Sequence, residues 1–406
     1  MGTKVKQSYS VIKGFNFFIY GALTIYSTYF ALYLKSMGLS TLEIGALMAG
    51  GPIVSLVANP FWGYVSDRFR NLRLTLILML AGSMILMQFV FLSESYTFIY
   101  ASMLLFFFFQ MPLFSQSNTL ILNSIEGTDQ SFGAFRLWGS LGWGIMALAA
   151  GPVIGQIGIE RLWIIYTVMM LFSLVFAFAL PRGEAKNSGA RAGKVNYRSL
   201  FASRAFFIFL FVGLVLSIPN SVNTTFVALY IKELGGGESL VGWSAFLSSI
   251  FEIPIFLLLD RYLKRNVRSM LLCLVVISCL FSLRWFLMAG AASAMQVIFI
   301  QMLHCVTFGG FYYIGTQLTV LLVPAELRSS GQAVYALTWG GLSGMAAGFI
   351  GGLMFEQSGA QSMYFICGAL SVLGIIGFSL LYAFVRRLQE NAKSGSATAE
   401  ASQLSR

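Results

Sequence analysis

Four ionisable side chains stand inside long apolar runs: Arg136, Glu252, Arg284 and His304, the last being the only histidine in the chain. An unpaired charge in oil is costly, so each marks a place where it meets a solute, an ion or another charge. Glu252 lies eight residues before Asp260, about 12 Å along a helix and so near the middle of a membrane-spanning element. There, desolvation works against any nearby cation in setting its proton affinity, and it can load and release a proton. Its competing role is a permanent ion pair with Arg284, and protonation that breaks such a pair reconciles the two. Arg136 and Trp143 are seven residues apart, about two helical turns, and share a face. A guanidinium fork grips hydroxyls or a carboxylate, and an indole beside it offers a flat apolar platform. Snorkelling is the competing role for Arg136 and packing the competing role for Trp143. His304 can partner a solute or a proton; a lone histidine on an apolar helix otherwise serves as a satisfied hydrogen-bonding residue. Asn220, Asn223 and Gln317 are polar candidates for a cavity wall.

Such residues need elements that hold them in a bilayer. Of the 406 residues 57% are apolar, 15% aromatic and only 10% charged, against roughly 25% charged in a soluble domain. This excludes an ordinary soluble enzyme and a disordered chain. Apolar blocks at 14–34, 42–65, 73–93, 96–122, 134–158, 161–181, 206–231, 240–259, 269–290, 294–323, 330–354 and 361–385 predict an all-α membrane protein with twelve transmembrane helices. The long polar stretch 182–204 reads as a cytoplasmic linker between an N-terminal six-helix bundle, 1–181, and a C-terminal one, 205–390. Residues 391–406 read as a flexible cytoplasmic tail. With both termini cytoplasmic, 21 of the 26 Lys and Arg fall in the termini and even-numbered loops, and only Lys35, Arg161 and Lys232 in the odd ones. That asymmetry predicts a multi-pass protein of the cytoplasmic membrane. It also explains the net charge of +11 without a nucleic-acid partner. The start, Met1 to Lys13, is polar and basic, and no cleavable leader is expected. The four cysteines lie in apolar runs, which implies neither a disulfide framework nor a metal site.

The two halves look related. The second helix ends in Gly63-Tyr-Val-Ser-Asp67-Arg68-Phe-Arg70-Asn-Leu-Arg73, the eighth in Asp260-Arg261-Tyr-Leu-Lys264-Arg265-Asn-Val-Arg268. The run of Gly63, Asp67, Arg68 and Arg73 resembles the signature loop of the major facilitator superfamily, with Arg70 where that family usually has glycine. The resemblance covers nearly the whole chain. It implies two pseudo-symmetric six-helix bundles that rock around a midplane cavity, with this loop as a gate. Glycines 340, 344, 348 and 352 in helix eleven fit that picture, because small residues let another backbone approach closely.

Helix five, Phe132-Gly133-Ala-Phe-Arg136-Leu-Trp138-Gly139-Ser140-Leu-Gly142-Trp143, is similar to that of the lactose permeases and their nucleoside and phenylpropionate relatives. The similarity implies that Arg136 binds substrate and that Trp143 contacts its ring, with Ser140 on the same helix. Eighteen residues before Arg136, the lactose permeases carry a substrate-binding Glu and the phenylpropionate permeases an Asp; here Asn118 stands there, and the comparison implies that it bonds substrate hydroxyls directly. Arg284 and His304 resemble the helix-nine Arg and helix-ten His that take part in proton coupling in the lactose permeases. The acid expected one turn after the His is replaced by Thr307, so its duty passes to Glu252. The expected function is secondary active transport, with proton-coupled symport of a sugar, nucleoside or aromatic carboxylate. Proton-coupled efflux of drugs or metabolites is the alternative, and a non-transporting membrane sensor a remoter one. Two arginines against one glutamate lean towards an anion. One His and one intramembrane acid leave no enzymatic constellation, and nothing resembles a channel filter. Expected partners are a small-molecule substrate, a proton and the lipid bilayer. No cofactor is expected, since the proton gradient supplies the driving force, and the protein is expected to be a monomer.

Overall fold

A computed structural model describes residues 2–181, 203–324 and 327–404, and among these the chain is helical with no strand. The expected linker lies outside the described residues except for Ser203 and Arg204. The spans are α1 (Gly2–Ser36), α2 (Thr41–Phe69), α3 (Leu72–Leu92), α4 (Tyr96–Ile125), α5 (Phe132–Ile157), α6 (Ile159–Ala179), α7 (Arg204–Glu233), α8 (Glu238–Tyr262), α9 (Val267–Ala289) and α10 (Ala294–Leu322). A last helical stretch, Ser330–Glu390, is 61 residues long, roughly 90 Å if straight and about three times the hydrocarbon thickness. It is broken at Gly359, whose φ of 77° and ψ of 167° no helix tolerates. The break yields α11 (330–358) and α12 (360–390), which completes twelve crossings. The helix after Gly352 continues to Leu404.

Proline explains two breaks inside spans. Pro112 cannot donate to the Phe108 carbonyl, and α4 divides at residues 111–112. The freed Phe108 oxygen accepts the Trp62 indole N–H at 2.9 Å, which ties α2 to α4. Pro254 cannot donate to the Ile250 carbonyl, and the first half of α8 ends at Ile250. The second half begins at Glu252. Helix α10 carries a π-helical turn over Cys305–Gly309, and α11 carries two, over Leu337–Leu342 and Ala347–Gly351. Such turns concentrate at functional sites.

Helices α1 and α7 are the most buried spans and occupy the centre. The halves meet through α2 against α11 and through α5 against α8, pairs that exchange under the six-helix repeat. The closest contacts lie on the face away from the termini. There a side chain at Gly45 would strike the Gly348 carbonyl and one at Gly348 the Gly45 carbonyl; Gly352 abuts Thr41, Gly151 abuts Glu238, and Gly242 abuts the Ala147 carbonyl. The Glu356 carboxylate of α11 accepts the Leu42 N–H at 2.8 Å, so one half caps the opening turn of α2 in the other. Towards the termini the contacts thin out, and Gly63 and Gly340 face open space. The far face is therefore sealed.

Candidate functional site

A cavity of about 130 Å³ lies between the halves, with Ser27 of α1, Trp143 of α5, Asn223 of α7, Ser248 of α8, and Gln301 and His304 of α10 in its wall. A second cavity of about 230 Å³ shares Ser27 and Thr224 with it and extends towards α2 and α11. A larger space, about 720 Å³, sits on the far face among Lys35, Lys232, Glu233, Glu238 and Glu356. Its Lys232 is paired with Glu238 at 2.7 Å. It is a vestibule of solvated charges, whereas the intramembrane ionisable groups gather beside the small central cavity.

Chain breaks position the acid and the histidine. Glu252 opens the second half of α8, and His304 immediately precedes the π turn of α10. Their closest approach, His304 Nε2 to Glu252 Oε1, is 3.6 Å. On its other side His304 Nδ1 meets Arg284 Nη1 at 3.1 Å. Arg284 itself is completely buried. It donates to Thr307 Oγ1 at 3.0 Å and to Gln301 Oε1, and stacks over the Trp285 ring at 4.3 Å. Gln301 donates to Asn223 Oδ1 at 2.8 Å, and the Tyr364 hydroxyl donates to the same oxygen at 3.1 Å. Glu252 is thus not the direct ion-pair partner of Arg284, as the competing reading had it, because His304 stands between them. The residue at the position of the missing acid, Thr307, is one of the arginine's acceptors.

From the N-terminal half, the Arg136 guanidinium stacks over Tyr20 at 4.1 Å; it forms no ion pair with Glu252, whose charge acts on it from across the interface. Its Nη1, Asn118 Oδ1, Trp143 Nε1 and Asn220 Oδ1 are buried with no protein hydrogen-bond partner. Buried polar atoms are nearly always satisfied, so these are the atoms a bound solute or water would engage. Trp143 and Asn223 line the central cavity; Asn118 lies outside its wall, and Ser140 is exposed. The structure adds Gln301 and Tyr364, which the sequence reading did not assign. Gln301 had a signal, an amide one helical turn before His304 in an apolar run. Tyr364 had none, because its bond to Asn223 spans 141 residues.

The loop residues divide by role. Asp67 is exposed and makes no hydrogen bond or ion pair with the described residues, as the open termini side would leave it. Its counterpart Asp260 accepts from Tyr313 at 2.8 Å and from Arg265 at 2.6 Å. The carboxylate beside it raises the Arg265 guanidinium above its ordinary pKa. Asn71 caps α3 and Asn266 caps α9. Arg73 donates to the Leu180 carbonyl at the end of α6, and Arg268 to the Arg386 carbonyl in α12. The repeated Arg-Asn-x-Arg thus ties the third helix of each half to its sixth. Arg70 closes α2 in the left-handed region, at φ 49°, where a non-glycine residue costs about 1–2 kcal/mol. Arg70→Gly is expected to stabilise the protein by about 1 kcal/mol, read as a raised thermal midpoint in detergent; an unchanged or lower midpoint would contradict the strain.

A family model described as MFS_1 like family matches residues 9–366. The chain is 26% identical to maltose permease of Geobacillus stearothermophilus over 369 residues, 90% of this chain and 91% of the permease. It is 24% identical over 340 residues to the putative nucleoside transporter YegT of Escherichia coli (strain K12), 80% of this chain and 79% of the relative. Among solved structures, the nucleoside transporter NupG matches with a TM-score of 0.77 at 17% identity, over 92% of this chain and 98% of that one, which shows a shared fold.

Proposed function

The chain belongs to the MFS_1 like family, as a multi-pass membrane transporter and not an enzyme, and on that premise we propose that it is a proton symporter for a small polar or aromatic solute. The reading rests chiefly on one juxtaposition: His304 in the wall of the central cavity with Glu252 3.6 Å from it in one half, and the unpartnered Nη1 of Arg136 in the other, within the influence of the Glu252 charge. Ionised, Glu252 neutralises Arg136 across the gap. Protonated, it releases the guanidinium to a solute oxygen, and the orphaned Nη1 is the atom to receive it. Loss of the proton on the other side of the membrane lets Glu252 take Arg136 back, and the solute leaves. Proton and solute are then coupled because the proton occupies Glu252 and so frees Arg136 for the solute, and the two are carried together.

Arg284 is absent from the cavity wall and enclosed by neutral partners. The accessible ionisable groups near the cavity are then one cation, Arg136, and one acid, Glu252, both set behind its wall, which weakens the lean towards an anion. Trp143 supplies the ring platform and Ser27, Thr224 and Ser248 supply hydroxyls, a set that suits a sugar, a nucleoside or an aromatic carboxylate. The maltose and nucleoside names of the relatives agree with that range. In the cell membrane both termini face the cytoplasm, so the sealed far face is external and the state is the one that delivers solute inward.

The test is a binding screen of sugars, nucleosides and aromatic acids on purified protein, repeated with Arg136→Ala. A charged hydrogen bond contributes about 1.5–3 kcal/mol, so the solute that binds is expected to weaken by about ten- to a hundredfold. Unchanged affinity would remove Arg136 from the site and the coupling scheme with it.

A further inference from the structure

An arginine side chain has donors and no acceptor, and that one property orients every polar group around Arg284. Gln301 must turn Oε1 towards the guanidinium, because its amide N–H₂ there would oppose another donor. Its Nε2 then points to Asn223 Oδ1 at 2.8 Å, and that oxygen also accepts from Tyr364. Asn223 Nδ2 returns a bond to Gln301 Oε1 at 3.4 Å. Likewise His304 Nδ1 must accept from Arg284 Nη1, which leaves the ring proton on Nε2. The acceptor atoms of all three side chains are used. Each keeps one N–H: the second Nε2 hydrogen of Gln301, the second Nδ2 hydrogen of Asn223, and the Nε2 hydrogen of His304, with only the Glu252 carboxylate near it at 3.6 Å. These same three residues line the central cavity, and Arg284 does not.

We propose that Arg284 is a positioning residue that makes this wall of the cavity a donor-only surface, so that the solute group received there is a proton-free acceptor: a carboxylate, an ester or ketone oxygen. An ammonium group meets three donors and no acceptor, and is rejected. This rests on the reading of the cavity as the solute site. The preference at this wall is for acceptors as such and not for negative charge, because its three donors belong to neutral side chains.

His304 is the only histidine, so protein labelled with [¹⁵N]histidine and held in lipid nanodiscs gives one imidazole signal. The wild type is expected to show the Nε2–H tautomer. Three probes of one shape are then titrated: 3-phenylpropionate, its methyl ester and 3-phenylpropylamine. The acid and the ester are expected to shift the His304 signal, with the amine at least about tenfold weaker, as for a site whose donors go unmatched. In Arg284→Leu the amide and imidazole groups can rotate, so the tautomer becomes mixed and the ester–amine discrimination falls to within about threefold. Gln301→Glu is a second variant that keeps an acceptor for Arg284 and deletes both Gln301 donors, the cavity N–H and the one that Asn223 Oδ1 accepts; it should leave the tautomer intact and reduce discrimination. An Nδ1–H tautomer in the wild type, amine binding equal to that of the ester, or binding of the acid without the ester overturns the proposal. If probes bind and none shifts His304, the cavity is not the solute site and the underlying reading fails; if all shift it equally, only the donor-only wall fails. No binding by either acceptor probe also counts against the wall.

Discussion

Glu252→Gln is expected to abolish uphill accumulation of the transported solute while leaving exchange of preloaded solute largely intact. The variant keeps the shape and the hydrogen-bonding capacity of the side chain and removes only the ionisation. Glutamine at the start of the second half of α8 can still face His304, and the cavity keeps its wall. It cannot neutralise Arg136 across the gap, so the state in which the acid reclaims the guanidinium is lost. Solute can then cross in both directions in its bound form, but the empty carrier has no charge-balanced form in which to return. A gradient of one pH unit, acid outside, is worth about 1.4 kcal/mol per proton, or tenfold accumulation at one proton per solute. In proteoliposomes carrying that gradient, the wild type should approach such a ratio and the variant should stay at about one. Preserved accumulation in the variant would refute Glu252 as the proton carrier.

A valine at Gly348 is the second large effect, and it is steric. Gly348 packs on the backbone of Gly45, at the crossing of α11 and α2, with no flexible side chain to yield. Adding a side chain there must separate the two halves on the sealed face. Overpacking of this kind costs about 1–3 kcal/mol, and the contact exists only while that face is closed. The equilibrium between the two access states should therefore move by about five- to 150-fold towards the far-open one. Uptake is expected to fall at least about tenfold, with the central cavity more accessible from the far side to an impermeant thiol reagent aimed at Ser27→Cys. Gly340→Ala is the control, since it lies on the same glycine series but faces open space, and near-normal uptake is expected. Equal damage at both positions would mean that the series matters for helix stability and not for the crossing.

The fold was legible because a bilayer leaves the chain few options. Every buried peptide group must be bonded within its own helix, so the apolar runs and their polar gaps map directly onto the spans. The ends were less legible. Helix α1 begins at Gly2, well before the first apolar run, because polar residues outside the oil can continue a helix. Proline accounts for the α4 and α8 breaks through its missing N–H, but Pro52, Pro60, Pro152 and Pro219 lie inside unbroken helices, so residue type alone does not locate a break. The π turns of α10 and α11 carry no comparable residue signal. In the site, Arg136, Glu252, Arg284 and His304 stood out because charge in oil is rare. Their grouping did not, since the 3.1 Å contact of Arg284 with His304 and the Gln301–Asn223–Tyr364 chain join α7, α9, α10 and α12 across long separations. The competing reading, a direct pairing of Glu252 with Arg284, was not settled by the sequence for the same reason: sequence counts charges, whereas packing put an imidazole between them.

Coupling is the claim that everything else serves, and it is read directly from proton movement. Purified protein is reconstituted into vesicles with a trapped pH dye and no imposed gradient, and the solute identified by the binding screen is added outside. The account predicts acidification of the lumen together with solute entry, at a fixed ratio, and its loss in Glu252→Gln. Solute entry with no lumenal pH change would contradict proton coupling, and alkalinisation of the lumen would mean proton exchange and an efflux carrier.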